Sequence, residues 1–166
     1  MEMPQPSEKH RKLEKLVGVW IGDETIAPNP WDQGGPARGC VDNQSAANGF
    51  IVVQNYEQRR NGQTSFTGHG VFQYEAKADR YLMYWWDSMG MPPNVFTGTF
   101  EEDDTLTLTC DEQAMKSRAT FIVSDFENYN FKMEVSQDGA NWMTFMEGTY
   151  ERWAPVGDGD DPWRQR

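Results

Sequence analysis

Beyond residue 17 the apolar side chains recur at every second position, in runs separated by short polar turns. Thr105-Leu106-Thr107-Leu108-Thr109-Cys110 and Tyr129-Asn130-Phe131-Lys132-Met133-Glu134-Val135 show it most cleanly, each with one apolar and one polar face. A period of two is the mark of a half-buried β-strand, because successive side chains point to opposite faces. Nine such runs are read, at about 18–27, 49–59, 64–75, 79–88, 94–101, 104–110, 117–124, 128–136 and 142–153. Asn61-Gly62, Lys77-Ala78-Asp79, Asp103-Asp104 and Asp138-Gly139 supply turn chemistry between them. A long antiparallel meander curls shut to remove its edges. The expected fold is therefore all-β: an up-and-down antiparallel β-barrel of about 9–10 strands. Its interior is either plugged by side chains or open to a small ligand.

One short helix precedes the strands. Ser7 is a plausible N-cap with Glu8 in the first turn, and His10, Leu13, Leu16 and Val17 share one stripe, so the helix spans about 7–16 and stops near Gly18. Residues 28–40 hold three prolines and three glycines and read as a long loop. Residues 1–153 form one barrel domain. The acidic, breaker-rich stretch 154–166 reads as a flexible tail, loosely pinned at most by Trp163.

The composition suits such a domain. Leu, Ile, Val and Phe are scarce and the net charge is −11, a pairing that warns of disorder. Against it stand 7 Trp, 6 Tyr, 9 Phe and 9 Met. Disordered chains are poor in aromatics, whereas each ring can bury roughly 150–250 Å². The core is built from rings and thioethers. At 166 residues the chain suffices for one core that buries about 70% of the unfolded surface. Cys40 and Cys110 are expected as thiols, since no secretory segment is visible. No run approaches a membrane span, no basic stripe suits nucleic acid, and the expected location is the cytoplasm.

Leu16-Val17-Gly18-Val19-Trp20-Ile21-Gly22 resembles the G-x-W opening strand of calycin-type barrels, the lipocalins and fatty-acid-binding proteins. In those the Trp closes one barrel end behind a short helix, which makes Gly18, Trp20 and Gly22 a structural signature. Thr67-Gly68-His69-Gly70-Val71-Phe72, Trp86-Asp87-Ser88-Met89-Gly90 and Met146-Glu147-Gly148-Thr149-Tyr150-Glu151-Arg152 follow in order. With them the chain resembles DUF1579, a bacterial family with no assigned function, over roughly residues 7–153. The resemblance implies a calycin/lipocalin-like barrel. The spacing of Gly18, Trp20 and Gly22 is also similar to that of nitrobindin-type haem barrels. Those need a His near the C-terminal strands, and no His follows His69, so haem is disfavoured and no cofactor is expected.

Few residues offer chemistry. His10 lies on the helix stripe and reads as a packing residue. His69 shares a face with Ser65, Thr67, Val71 and Gln73; it lines the lumen if that face points inward and is a surface histidine otherwise. Gly68 and Gly70 beside it mark a close approach of another group. The run 80–89 is bulky on both faces, so Tyr84, Trp86, Met89 and Met91 are candidate ligand contacts, with plain packing or a homodimer face as the alternatives, and the loop with Trp31 as a candidate cover. Glu147 shares a face with Met143, Phe145 and Thr149; if these point inward the carboxylate does too, paired with Arg118 or Arg152 or acting on a ligand. Glu24 and Asp87 are lesser candidates of the same kind. Hydrolase elbow, phosphate loop and metal spacings are absent, and no metal site is expected. A Ser88–His69–Asp87 set is discounted because Ser88 and Asp87 point to opposite faces.

The leading expectation is a barrel binding a small apolar or aromatic molecule, with Tyr84, Trp86, Met89, Met91, His69 and Glu147 at the ligand. A small acid/base enzyme of isomerase, cyclase or lyase type, using His69 and an inward carboxylate, with His69 and Glu147 as the candidates, is the alternative. A homodimeric interaction module without a ligand is the third.

Overall fold

The computed structural model describes residues 1–111 and 114–164. Ten antiparallel strands follow one another around a closed barrel and the last pairs with the first. They are β1 (Gly18–Ile26), β2 (Gly35–Ala46), β3 (Ile51–Arg60), β4 (Gln63–Glu75), β5 (Arg80–Asp87), β6 (Asn94–Phe100), β7 (Thr105–Cys110), β8 (Lys116–Ile122), β9 (Asn128–Ser136) and β10 (Met143–Trp153). The turn residues do what their chemistry allows: Asn61, Gly62, Asp79, Asp104 and Gly139 all take positive φ.

The strand that alternation alone does not reveal is β2, which begins inside the stretch read as loop and takes its second half, residues 35–40. Its inward positions, Ala37, Gly39, Val41 and Asn43, are small or polar, so the hydrophobic period is faint. The reason lies across the barrel wall. A Cβ on Gly39 would stand 1.9 Å from Glu24 Oε1, so only glycine lets the carboxyl occupy that space. The connection left between β1 and β2 is residues 27–34, tied to β3 by the Arg60–Asp32 ion pair at 2.9 Å, with Trp31 87% exposed. Trp31 therefore covers no part of β5.

A short helix, α1 (Glu8–Arg11), runs into a 3-10 turn (Lys12–Leu16) and caps one end of the barrel. The Ser7 backbone N–H donates to His10 Nδ1 at 3.1 Å and fixes the start. Leu13 and Leu16 are fully buried. Tyr81 donates to Lys9 O, Lys15 pairs with Asp104, and Lys9 with Asp79. Trp20 closes this end as the G-x-W resemblance implies. Its indole N–H donates to Leu16 O at 3.0 Å, the Tyr129 ring meets it edge-on, and the Arg152 guanidinium lies 4.2 Å over its face. Arg152 also donates to Val17 O and Phe126 O, tying the last strand to the start of the first.

Inside the capped half, Trp20, Phe72, Leu106 and Leu108 have no accessible surface, and the Phe72 and Phe121 rings touch across the lumen. The interior is plugged here. Both cysteines are free thiols. In the tail, Trp163 lies in a 3-10 turn (Pro162–Arg164) under the Arg59 guanidinium at 4.1 Å, the residue expected to pin it. Among the described residues no helix is long and apolar enough to cross a membrane.

Candidate functional site

Toward the uncapped end the inward-facing side chains change character. Phe66, Trp85, Phe131 and Met133 pack against the core yet stay only half-buried, and Met146, also half-buried, turns its sulfur toward Tyr56 and Gln58. Trp85 owes its place to β4. A Cβ on Gly68 would sit 2.2 Å from the indole and one on Gly70 3.3 Å from it. The two glycines thus face inward and make room for a ring, and His69 between them faces out.

Among these rings stands one carboxyl. Alternation in β1 puts Glu24 on the same inward face as Trp20 and Gly22, and it is 2% exposed. Tyr150 donates to its Oε1 at 2.6 Å, Tyr56 to both oxygens at 2.8 Å, and Gln58 Nε2 to Oε2 at 2.9 Å. Gln58 also donates to the Tyr56 hydroxyl at 3.0 Å, and Met146 Sδ lies within 3.9 Å of it. Tyr129 stacks on Tyr150 with ring centroids 4.7 Å apart. Burial pushes the Glu24 carboxyl above its ordinary range, opposed by the donated hydrogen bonds of Tyr150, Tyr56 and Gln58 and by the Arg60 charge. Burial and the neighbouring carboxylate push the Tyr56 phenol up as well. Tyr150 and Tyr129 are raised for the same reasons. Three hydroxyl and amide protons held on one buried acid satisfy it and fix its orientation. Further inward polar groups toward this end include Gln54 on β3, Asp87 on β5 and Asn94 on β6, while Arg60 pairs with Asp32 and keeps its Nε buried without a hydrogen-bond partner.

The sequence candidates sit elsewhere. Glu147 points outward, paired laterally with Thr25 and Lys132. A bulge between Thr144 and Met146 breaks the period of two, so Met143 and Phe145, 65% and 39% exposed, do not predict its side. Neither expected partner meets it. Arg118 pairs with Glu134 at 2.9 Å, holding that carboxyl below its usual range, and Arg152 stacks on Trp20. Tyr84 is also outward, between Val71 and Val95, and Trp86 is 41% exposed beside His69. Met89 and Met91 lie in the exposed loop after β5. None of these six lines the interior.

Some of them meet at a cleft that draws residues from both faces of the wall. A solvent-open cleft of about 390 Å³ is lined by Asn55, Tyr56, Thr67, Gly68, His69, Trp86, Asp87 and Ser88. Ser88, His69 and Asp87 share it without bonding to one another. His69 Nδ1 is held by Asn55 Oδ1 at 2.8 Å, Ser88 Oγ accepts from Thr67 N–H, and Asp87 accepts from the Trp85 indole and from Met89 N–H. His10, the other imidazole, packs edge-on against Phe50 and Tyr74 at the capped end. No imidazole faces the Glu24 cluster, and His69 and Asp87, which share the cleft, are bonded to other partners.

Sequence reasoning named Glu24 only as a lesser candidate and missed Tyr56, Gln58 and Tyr150. The Trp20-Gly22-Glu24 alternation was the available signal for the acid. The three donors come from strands 32 to 126 residues away and leave no local trace.

Comparison with solved structures shows the same barrel at low identity. The Rv2717c protein from M. tuberculosis superposes with a TM-score of 0.67 at 11% identity, covering 89% of this chain and 99% of that one. The S-type phycobiliprotein lyase CPES from Guillardia theta gives 0.60 at 14% identity, covering 90% and 99%. No curated protein sequence matches the chain. The family described as "Protein of unknown function (DUF1579)" matches residues 5–152, nearly the whole barrel. The chain belongs to the DUF1579 family.

Proposed function

We propose that the protein binds a small apolar or aromatic molecule in the uncapped half of the barrel, over the Glu24–Tyr56–Gln58–Tyr150 cluster. The observation that carries this is the change in burial along the barrel axis. Most inward rings and thioethers at the capped end are sealed, Phe100 excepted, whereas Phe66, Trp85, Phe131, Met133 and Met146 keep accessible surface around one fully buried acid. Small-molecule sites have this make-up: an apolar lining with a few placed polar groups. Half-buried methionines adapt their shape to what they contact. The outward placement of His69 and Glu147 leaves the enzyme reading without its two residues, which favours binding over turnover.

N-phenyl-1-naphthylamine, a neutral aromatic amine that brightens in apolar surroundings, tests this by titration. The wild type is expected to bind it with a blue-shifted, saturable signal. Trp85→Ala and Met133→Lys are expected to weaken binding at least tenfold, while Trp86→Ala on the outer wall leaves it within twofold. Equal loss in Trp86→Ala, or no saturable signal from the wild type, overturns the reading.

A further inference from the structure

The outer wall of the barrel is uneven in charge. The segments 51–55, 67–73, 82–86, 95–99 and 105–109, which are neighbouring parts of β3 to β7, hold no Asp, Glu, Lys or Arg. This occurs in a chain that is 25% charged with a net charge of −11. The rest of the outer wall carries Asp23, Glu57, Arg59, Glu75, Arg118, Lys132, Glu147 and Glu151. On the neutral side the outward residues are in register. Val53, Val71, Tyr84 and Val95 form one continuous cross-strand row, and Leu82, only 7% exposed, sits in the next, between Gln73 and Thr97. Around them the outward positions of β6 and β7 are mostly threonine.

The geometry points to this β3–β7 face as an interface between two copies of the chain, packed sheet on sheet about a two-fold axis. Two molecules of net charge −11 repel wherever their acidic walls approach, and the neutral face is where they meet without opposed carboxylates. The barrel is closed, so no strand edge is free to pair and the contact is made by side chains across about 10 Å. The face has sixteen outward positions on five strands. They span five of the ten strands of a convex wall, so only the middle of the face meets a partner at once. The contact is smaller than the roughly 20–30 residues per partner of a standard interface, as in weakly associating pairs. A β-branched, threonine-rich grid with one tyrosine at its centre is also poor in the long charged side chains that interface cores lack.

Sedimentation equilibrium of the full chain from 1 to 300 µM, in 0.05 M and 0.5 M NaCl, tests the inference. A species of twice the 19.1 kDa chain mass is expected. Its association is expected to tighten severalfold with salt, because screening removes the repulsion between like-charged bodies. An interface held by ion pairs weakens instead. Tyr84→Lys is expected to weaken association at least tenfold and Thr149→Lys, on the outer wall of β10, to leave it within twofold. Should Tyr84→Lys lose its native circular dichroism, Thr97→Glu in the same face replaces it. A monomer at every concentration in both salts overturns the inference. So does association that weakens with salt, or that Thr149→Lys disrupts as much as the face variants do.

Discussion

The indole of Trp85 occupies the volume in which a side chain at Gly68 would stand, with the ring 2.2 Å from where that Cβ would be. This contact explains a glycine in the middle of a strand, where it otherwise weakens the sheet. It also turns His69 outward, since neighbours in a strand alternate.

Gly68→Ala is therefore expected to destabilise the fold by about 1–3 kcal/mol, the usual cost of overpacking a filled interior. The Trp85 ring has to move, so its fluorescence maximum shifts as well. Urea unfolding with tryptophan emission measures both. An unchanged midpoint and spectrum is the contrary result.

Glu24 gives the protein a particular pH dependence. Its folded carboxyl is raised above the ordinary value near 4.5, chiefly by burial. A raised acid contributes stability that is fully present below the unfolded pKa and is lost as pH rises through the folded one. Melting temperature is expected to fall across that window, and Glu24→Gln to flatten this component. Glu24→Ala instead leaves Tyr56, Gln58 and Tyr150 without their acceptor and is expected to cost about 2–4 kcal/mol at neutral pH. Thermal melts from pH 4 to 8 on the three proteins separate the two effects. A wild-type slope of the opposite sign in that window, with no difference in Glu24→Gln, contradicts the assignment.

Cys40 tests the docking of the tail. Burial pushes its thiol up to about 11, helped by the charges of Glu57, Asp42 and Asp161. With so little thiolate at pH 8, alkylation by iodoacetamide is expected to be on the order of 100-fold slower than for a free thiol of pKa about 8.5. Trp163→Ala releases the segment that carries Asp161 and is expected to raise the rate severalfold. Mass spectrometry of the Cys40 peptide reads the rate, and equal rates in both proteins remove the tail from the Cys40 environment.

Much of the fold was legible because it is local. The period of two, the positive-φ turns at Asn61-Gly62 and Asp138-Gly139, and the G-x-W opening each depend on a few adjacent residues. The second half of the stretch read as loop belongs to β2, hidden because its Gly39 answers to Glu24, a residue on another strand. Glu147 failed as an inward acid for a similar reason. One extra residue at the Phe145 bulge resets the alternation, and nothing in Met143-Thr144-Phe145-Met146 announces it.

The amino-acid sequence by itself determined that this chain closes into an antiparallel barrel filled by rings and thioethers, because alternation and ring count are properties of neighbours and totals. Which face of each strand points inward was decided only by the tertiary structure. That choice follows from space inside the closed barrel: the interior admits Trp85 over Gly68 and Glu24 over Gly39, and each placement sends the next residue outside. His69, Trp86 and Tyr84 were thereby moved to the outer wall, and Glu24 with two tyrosines and a glutamine took the interior.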